Sequence, residues 1–358
     1  MTARREGVTG VERRVRKAWA SRPGRALLLA SGAYAAVVDF RNFLYDSRVI
    51  AARRAPVPVV SIGGLTAGGS GKTPLASDLA RRLSDAGVVT AILTHGFEDE
   101  LEVHRKLCPE ALVFGGKDRL GLARAAAEAG AELIVLDSGF QYRRLHRDLD
   151  IVAIDDTVLA LPPQRLPAGP FREGLAALAR ADLVVRVERS LPAPEVRPSV
   201  TETAPVEAML RGVAGGLETP PVIVARIRPG PLVAVTESAE RIDTPCPSLA
   251  VAGVMWPDGF FSQASQATGS VVETLALRDH ANIGDAVVVR LRDLAGEGGI
   301  VCTLKDASKL ARSLGRNVPI WYLSESVKWV DSGTPPAVVG AALSLLPSTV
   351  GADSSVSE

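Results

Sequence analysis

The chain has 358 residues, 47% apolar and 23% charged, with a formal net charge of +1. That length offers material for two domains and a sizeable core, and the composition excludes collagen-like and intrinsically disordered classes. Three cysteines (Cys108, Cys246, Cys302) lie far apart without metal-ligand spacing. Such a sparse, odd set argues against a disulfide framework and fits a reducing compartment, and no secretory signal with a cleavage site is apparent.

The small net charge hides an asymmetry. Residues 1–55 carry twelve Arg/Lys and four acids, a net +8, which leaves the other 303 residues at −7. A segment so basic calls for an anionic partner or a solvated arm. Residues 1–22 read as a basic arm or short helix. Between Arg25 and Asp39 come thirteen uncharged residues, ALLLASGAYAAVV, followed by Phe40, Phe43, Leu44 and Tyr45. Thirteen falls short of the about 20 needed to span a bilayer. An arginine-flanked helix with aromatics at one end suits the membrane interface, its bases toward anionic headgroups. The alternative is a first helix packed on the core.

The next stretch, VPVVSIGGLTAGGSGKTP (Val57 to Pro74), organises the chain. Val57 to Ile62 is a β-branched run that predicts a buried parallel strand. The run breaks into Gly63, Gly64, Gly68, Gly69 and Gly71, then Lys72 and Thr73, and a helix is expected over Pro74 to Leu83. Strand, glycine loop, Gly-Lys-Thr and helix form a phosphate-binding loop in its proper context. Glycines let successive backbone N–H groups of Thr66, Ala67, Gly68, Gly69, Ser70 and Gly71 turn toward one anion, helped by the helix N-terminus. Lys72 then reaches the β/γ-phosphates, and the Thr73 hydroxyl ligates Mg²⁺. Thr66 stands where the usual pattern has a glycine.

Beyond this loop the pattern is α/β. Strands are expected at Val88 to Leu93, Ala111 to Phe114, Glu132 to Leu136, Asp150 to Ile154 and Leu183 to Val187. Helices are expected at Asp118 to Ala129 and near Arg172 to Arg180. Alternation of this kind predicts a parallel sheet with helices on both faces. Residues 188–219, rich in Pro, Glu and Gly, mark a boundary. Two β-rich runs around Pro229-Gly230-Pro231 predict a connecting ribbon. A second, smaller α/β set follows, with strands at Ser248 to Ala252, Ser270 to Leu275, Gly299 to Cys302 and Val318 to Leu323. Its helices are expected at Pro257 to Thr268, Gly284 to Leu294, Leu304 to Leu314 and Pro336 to Leu346. The domains are thus a basic arm and interfacial helix (1–55), a P-loop domain (56–190), a linker and ribbon (191–236), a C-terminal α/β domain (237–347) and a disordered tail (348–358).

Two further blocks carry chemistry. Leu133 to Leu136 ends in Asp137, where a P-loop fold needs a carboxylate for the Mg²⁺ shell. Asp99 and Glu100 follow a strand in the acidic cluster FEDELE, either at the ligand-binding end of the sheet or in a solvated loop. The Pro/Gly-restricted run Leu166 to Glu173 offers Arg172 as a phosphate contact and Glu173 for the metal shell. His280 follows Asp279 past a strand of the second set.

Taken together, AYAAVVDFRNFLY, VPVVSIGGLTAGGSGKTP, DSGFQYRRLHRDLDIVAIDD, LPAGPFRE, VAGVMWPDGFF, LRDHANIGDA and VCTLKDASKL resemble the tetraacyldisaccharide 4'-kinase family from about Gly24 to Trp329. Thr66 at the glycine position is what that family shows. The resemblance implies ATP- and Mg²⁺-dependent phosphorylation of the 4'-hydroxyl of a tetraacylated disaccharide 1-phosphate in lipid A assembly. It implies two α/β domains with the site in the cleft, and peripheral attachment to the cytoplasmic face of the inner membrane. The acylated lipid and an anionic membrane surface met by residues 1–55 are then the partners; no nucleic acid is expected. Lys72 and Thr73 match the phosphate and metal roles, Asp137 and Gln141 the metal site, and Asp99 and His280 an acid–base pair that readies the sugar hydroxyl. The chain departs from the family pattern at Ser138 (Asp in the family), at Tyr142 (His), at Glu98 and Leu101 around Asp99, and in the shortened loop Thr94-His95-Gly96-Phe97. A nucleotide-binding homologue without kinase activity and a kinase for another acceptor are the alternatives.

Overall fold

The computed structural model describes residues 19, 23–155, 162–189, 220–269, 273–278, 283–330 and 336–347. The expected basic arm (apart from Trp19), the linker through residue 219, the polar tail and His280 lie outside the described residues.

Eleven strands form one sheet in the order β3-β2-β4-β1-β5-β6-β7-β11-β10-β8-β9. The first half holds β1 (Val59–Gly63), β2 (Thr90–Thr94), β3 (Leu112–Gly115), β4 (Leu133–Asp137), β5 (Leu149–Asp155), β6 (Leu183–Arg189) and β7 (Val222–Ala234), paired in parallel throughout. The second holds β8 (Leu249–Ala252), β9 (Glu273–Ala276), β10 (Ile300–Cys302) and β11 (Ile320–Val330), again parallel. Every residue of β1 and β4 is buried, as expected for β-branched strands covered on both faces.

The expected ribbon around Pro229-Gly230-Pro231 takes a different form. Val222–Ala234 is a single strand, and its antiparallel partner is β11, about a hundred residues on, with a register shift between Leu323 and Glu325. The shift accommodates the prolines, which cannot donate to the ladder. Because β7 also pairs with β6 and β11 with β10, the two halves share one continuous sheet.

The helices are α1 (Arg25–Asp46), α2 (Lys72–Asp85), α3 (Glu98–Leu107), α4 (Arg119–Glu128), α5 (Glu237–Glu240), α6 (Pro257–Thr268), α7 (Asp285–Ala295), α8 (Leu304–Leu314) and α9 (Ala337–Leu343), with a 3₁₀ turn at Leu175–Arg180. Helix α2 buries Leu75, Leu79 and Leu83 at one-turn spacing against β1 and β4 residues, and α9 packs onto the same core through Val338, Val339 and Ala342. Trp329 of β11 joins this core, and its indole N–H donates to Asp78 Oδ2 on α2 (2.7 Å). The end of the second half is thereby fastened to the helix that follows the glycine loop.

Helix α1 is docked the other way round. It runs 22 residues, well beyond the thirteen uncharged ones, and is long and apolar enough by length and composition to cross a membrane. Ser31 and Asn42 are buried against the protein, and the more exposed Asp39 and Asp46 reach it through arginines. Ser31 Oγ donates to the Arg165 carbonyl (2.8 Å), Arg165 donates to Asp39 (2.7 Å), and Asn42 Nδ2 donates to Glu173 (2.7 Å). Arg143 donates to Asp46 (2.6 Å). Ser31, Asp39, Asn42 and Asp46 recur at helical spacing, so they form one stripe. The opposite face exposes Leu29, Val37, Phe40 and Phe43, each more than 60% accessible.

Candidate nucleotide site

The loop after β1 is bent by glycines at positive φ: Gly68, Gly69 and, directly before α2, Gly71 (φ 73°). At Gly69 a Cβ would also strike the indole of Trp256, which lies over the loop from the second half. The first half of the loop is pinned to the Leu166–Glu173 run: Ala67 N–H donates to the Pro170 carbonyl (2.9 Å) and Arg172 N–H to the Leu65 carbonyl (2.7 Å). Thr66 is buried there and its hydroxyl donates to the Gly68 carbonyl (3.3 Å). Lys72 Nζ donates to Ser70 Oγ (2.7 Å). Part of Lys72 stays open to solvent, yet dense surroundings push its pKa down to about 8. The Arg172 and Arg189 charges add to that push, while Asp137 and Glu100 oppose it.

Asp137, the last residue of β4, stands beside Ile62 in register, where β1 gives way to the loop. The Thr73 hydroxyl donates to its Oδ2 (2.9 Å). A hydroxyl that gives its proton to a carboxylate keeps its lone pairs for a cation. Burial pushes the Asp137 carboxyl up, but hydrogen bonding and charge from His104, the charge of Lys72 and the Thr73 hydroxyl outweigh it and hold the group below the usual range. An ionised carboxylate and a hydroxyl are the hard oxygen donors that Mg²⁺ takes. Among the described residues no cluster of three or more His, Cys, Asp or Glu side chains is placed to hold a metal. Ser138 follows at φ 60°, turning the chain sharply at the strand end, and its amide donates to the Ile62 carbonyl (2.8 Å).

A family model described as Tetraacyldisaccharide-1-P 4'-kinase matches residues 24–112 and 104–343. The chain belongs to the tetraacyldisaccharide 4'-kinase family. It is 34% identical over 346 residues to the tetraacyldisaccharide 4'-kinase of Anaeromyxobacter sp. (strain K), covering 83% of this chain and 85% of that one. With that of Chlorobaculum parvum it shares 32% identity over 288 residues, 72% and 76% of the two chains. The crystal structure of "apo" form LpxK from Aquifex aeolicus in complex with ATP superposes with a TM-score of 0.65 at 25% identity, over 90% of this chain and 99% of that one.

In this member of the kinase family the acidic cluster FEDELE is no loop. Glu98, Asp99 and Glu100 form the first turn of α3, where acids complement the helix dipole, and His104, Arg105 and Lys106 occupy the last turn. Asp99 is buried, and the nearest charge on α8 is Lys309, 3.8 Å from its Oδ2; one turn on, Arg312 pairs with Glu102 (2.8 Å). His280, the expected partner of Asp99, lies outside the described residues. Gln141 donates to the Gly64 carbonyl (3.0 Å) at the start of the loop. Glu173, expected in the metal shell, accepts from Asn42 (2.7 Å) and Arg180 (2.8 Å) on Oε2, with Arg41 3.7 Å from Oε1, and through these contacts ties α1 to the body. The charge of Arg172, the expected phosphate contact, adds to the downward push on Lys72.

Three residues in this neighbourhood escape the sequence reading. His104, fully buried, places Nε2 3.1 Å from Asp137 Oδ2. Its signal was the i,i+4 spacing from Glu100, visible only once the acidic cluster is read as a helix. Arg119 opens α4 nearly buried, 5.3 Å from the Tyr142 ring centroid, with burial lowering its pKa and Asp137 and Glu100 opposing. Trp256, capping α6 over Gly69, has its ring 6.1 Å from that of Trp19, and Trp19 in turn donates to the Pro167 carbonyl (2.9 Å). Nothing in local spacing brings these tryptophans to the loop.

Proposed function

We propose that this protein transfers the γ-phosphoryl group of ATP to the 4'-hydroxyl of a tetraacylated disaccharide 1-phosphate, working at the membrane surface. The observation that carries the reading is the Thr73–Asp137 hydrogen bond at the mouth of a glycine loop with Lys72 beside it, in a chain of this family. Loop amides from Gly68 to Thr73 cradle the triphosphate, the Ala67 N–H expected among them being given to the Pro170 carbonyl, and Lys72 neutralises the β/γ oxygens. Thr73 and Asp137 would hold Mg²⁺, which when bound offsets charge on the transferring phosphoryl group. Arg172 adds positive charge from the loop's other side. Asp99, with His280 as its partner, takes the proton from the acceptor hydroxyl as its oxygen attacks phosphorus and ADP leaves. The buried position of Asp99 just beyond a strand's carboxyl end supports that role.

Helix α1 supports the membrane part of the reading. A helix that turns its polar stripe inward and Leu29, Val37, Phe40 and Phe43 outward is suited to lie with that outer face among acyl chains. The basic residues of 1–55 then meet anionic headgroups, and the attachment is peripheral or monotopic on the cytoplasmic face, where ATP is found.

The test uses purified protein in detergent with Mg²⁺, ATP and tetraacyldisaccharide 1-phosphate, following the lipid by mass spectrometry. A bis-phosphorylated product is expected, and Lys72→Ala should lower its rate by at least about 10²-fold, as for loss of one oxyanion-binding group. ATP binding without lipid product would assign the chain another acceptor or a non-catalytic role.

A further inference from the structure

Asp137 is held by a closed ring of side chains rather than by the loop alone. Thr73 and Ser77 lie four residues apart on α2 and so present two hydroxyls on one face. The Thr73 hydroxyl donates to Asp137 Oδ2 (2.9 Å), His104 Nε2 lies 3.1 Å from that same oxygen, and His104 Nδ1 lies 2.9 Å from Ser77 Oγ. Three members are dry, Ser77 at 1% exposure, His104 at 0% and Asp137 at 2%, while Thr73 is half-buried at the loop.

The chemistry of the partners orders the protons. An ionised carboxylate only accepts, so Nε2 carries the hydrogen directed at Asp137. In the neutral ring Nδ1 then accepts from the Ser77 hydroxyl. Oδ2 thus takes two donors from two different helices, which fixes the rotation of the carboxylate about Cβ–Cγ. Oδ1 meets only the Ser138 hydroxyl, at 3.2 Å, among the described residues. Oδ2 is locked by two donors, whereas Oδ1 holds a single, longer contact.

From this geometry we propose that His104 is a positioning residue for the metal–nucleotide site: it sets the Asp137 carboxylate so that the site takes up Mg²⁺ together with ATP. The inference rests on the proposed role of Asp137 as the Mg²⁺ carboxylate. Partners of this kind, one bond removed from a metal, typically alter its affinity by about 10- to 100-fold when lost. A histidine that merely braced α3 against α2 and β4 would change stability and leave metal affinity alone.

The experiment titrates Mn²⁺ into the full-length protein at saturating ATP, with the free ion followed by electron paramagnetic resonance, for wild type, His104→Ala and His104→Gln. Glutamine offers one amide donor and one carbonyl acceptor, as the neutral imidazole does. His104→Ala should weaken Mn²⁺ binding by about tenfold or more, with ATP affinity measured in EDTA unchanged. His104→Gln should recover most of the loss, and it keeps the test decisive if the alanine variant folds poorly. Mn²⁺ affinity within twofold of wild type in both variants would overturn the inference and leave the proposed function standing. A wild-type protein that takes up no Mn²⁺ with ATP would overturn both. No lipid acceptor is used, so the result is independent of acceptor identity.

Discussion

Helices α1 and α2 meet the protein by opposite rules. Helix α2 buries Leu75, Leu79 and Leu83 and turns Arg81 and Asp85 outward, the arrangement expected where water lies outside. Helix α1 buries Ser31 and Asn42, ties Asp39 and Asp46 to arginines, and turns Leu29, Val37, Phe40 and Phe43 outward. An apolar face of that extent on a soluble surface marks an interaction site. The two helices therefore differ in what they offer: α2 fixes Lys72 and Thr73 against the core, and α1 presents the apolar outer face proposed above to meet lipid.

The comparison can be broken first at its polar side. Glu173→Ala strips the partner from Arg180 and Asn42 at a site only 1% exposed. Loss of one member of a buried pair costs roughly 3–5 kcal/mol. Thermal denaturation and limited proteolysis near α1 should both register it. An unchanged melting temperature with a weakened Mg²⁺ requirement would instead put Glu173 in the metal shell.

Paired leucine substitutions sharpen the contrast. Leu79→Ala, at 0% exposure, should cost about 2–5 kcal/mol in chemical denaturation. Leu29→Ala, at 76% exposure, should stay within about 0.5 kcal/mol. Equal losses would mean that α1 packs as a core helix.

A smaller effect is written into Lys72. Its folded pKa of about 8 lies below the ordinary lysine value of 10.5, burial being the main cause. Between those values the unfolded chain binds a proton that the folded chain lacks, so this group's contribution to stability rises with pH across that window. Affinity for ATP runs the other way, because the triphosphate needs the charged lysine. Calorimetric titration should show affinity falling as pH rises through about 8, by up to about tenfold per unit, with proton uptake on binding. A flat profile from pH 7 to 9.5 would mean that the ammonium stays charged in the free protein.

How far these features were legible in the sequence depended on whether the signal was local. The glycine loop, Lys72, Thr73 and Asp137 announce themselves because phosphate chemistry needs those residues at that spacing, and helices such as Pro257–Thr268 and Leu304–Leu314 follow from periodicity. Helix α3 did not, since three acids after a strand satisfy a solvated loop as readily as a helix N-terminus; with it went His104. The β7–β11 pairing was hidden for another reason: Val222–Ala234 and Ile320–Val330 find each other across a whole α/β unit, and Pro229-Gly230-Pro231 reads locally as a turn. The contacts of Glu173 were hidden as well, because its partners Asn42 and Arg180 come from two separate elements, one of them α1.

The difference between the two helices is most directly tested by sedimentation with anionic phosphatidylglycerol-containing vesicles, comparing wild type with a Phe40→Ser/Phe43→Ser double variant. Both rings are more than 60% exposed, so the fold should survive the change. Losing two partly inserted aromatics should lower vesicle partitioning by about tenfold or more, while ATP affinity in solution stays at the wild-type value. If the double variant sedimented like wild type, the outer face of α1 would not be what meets the lipid.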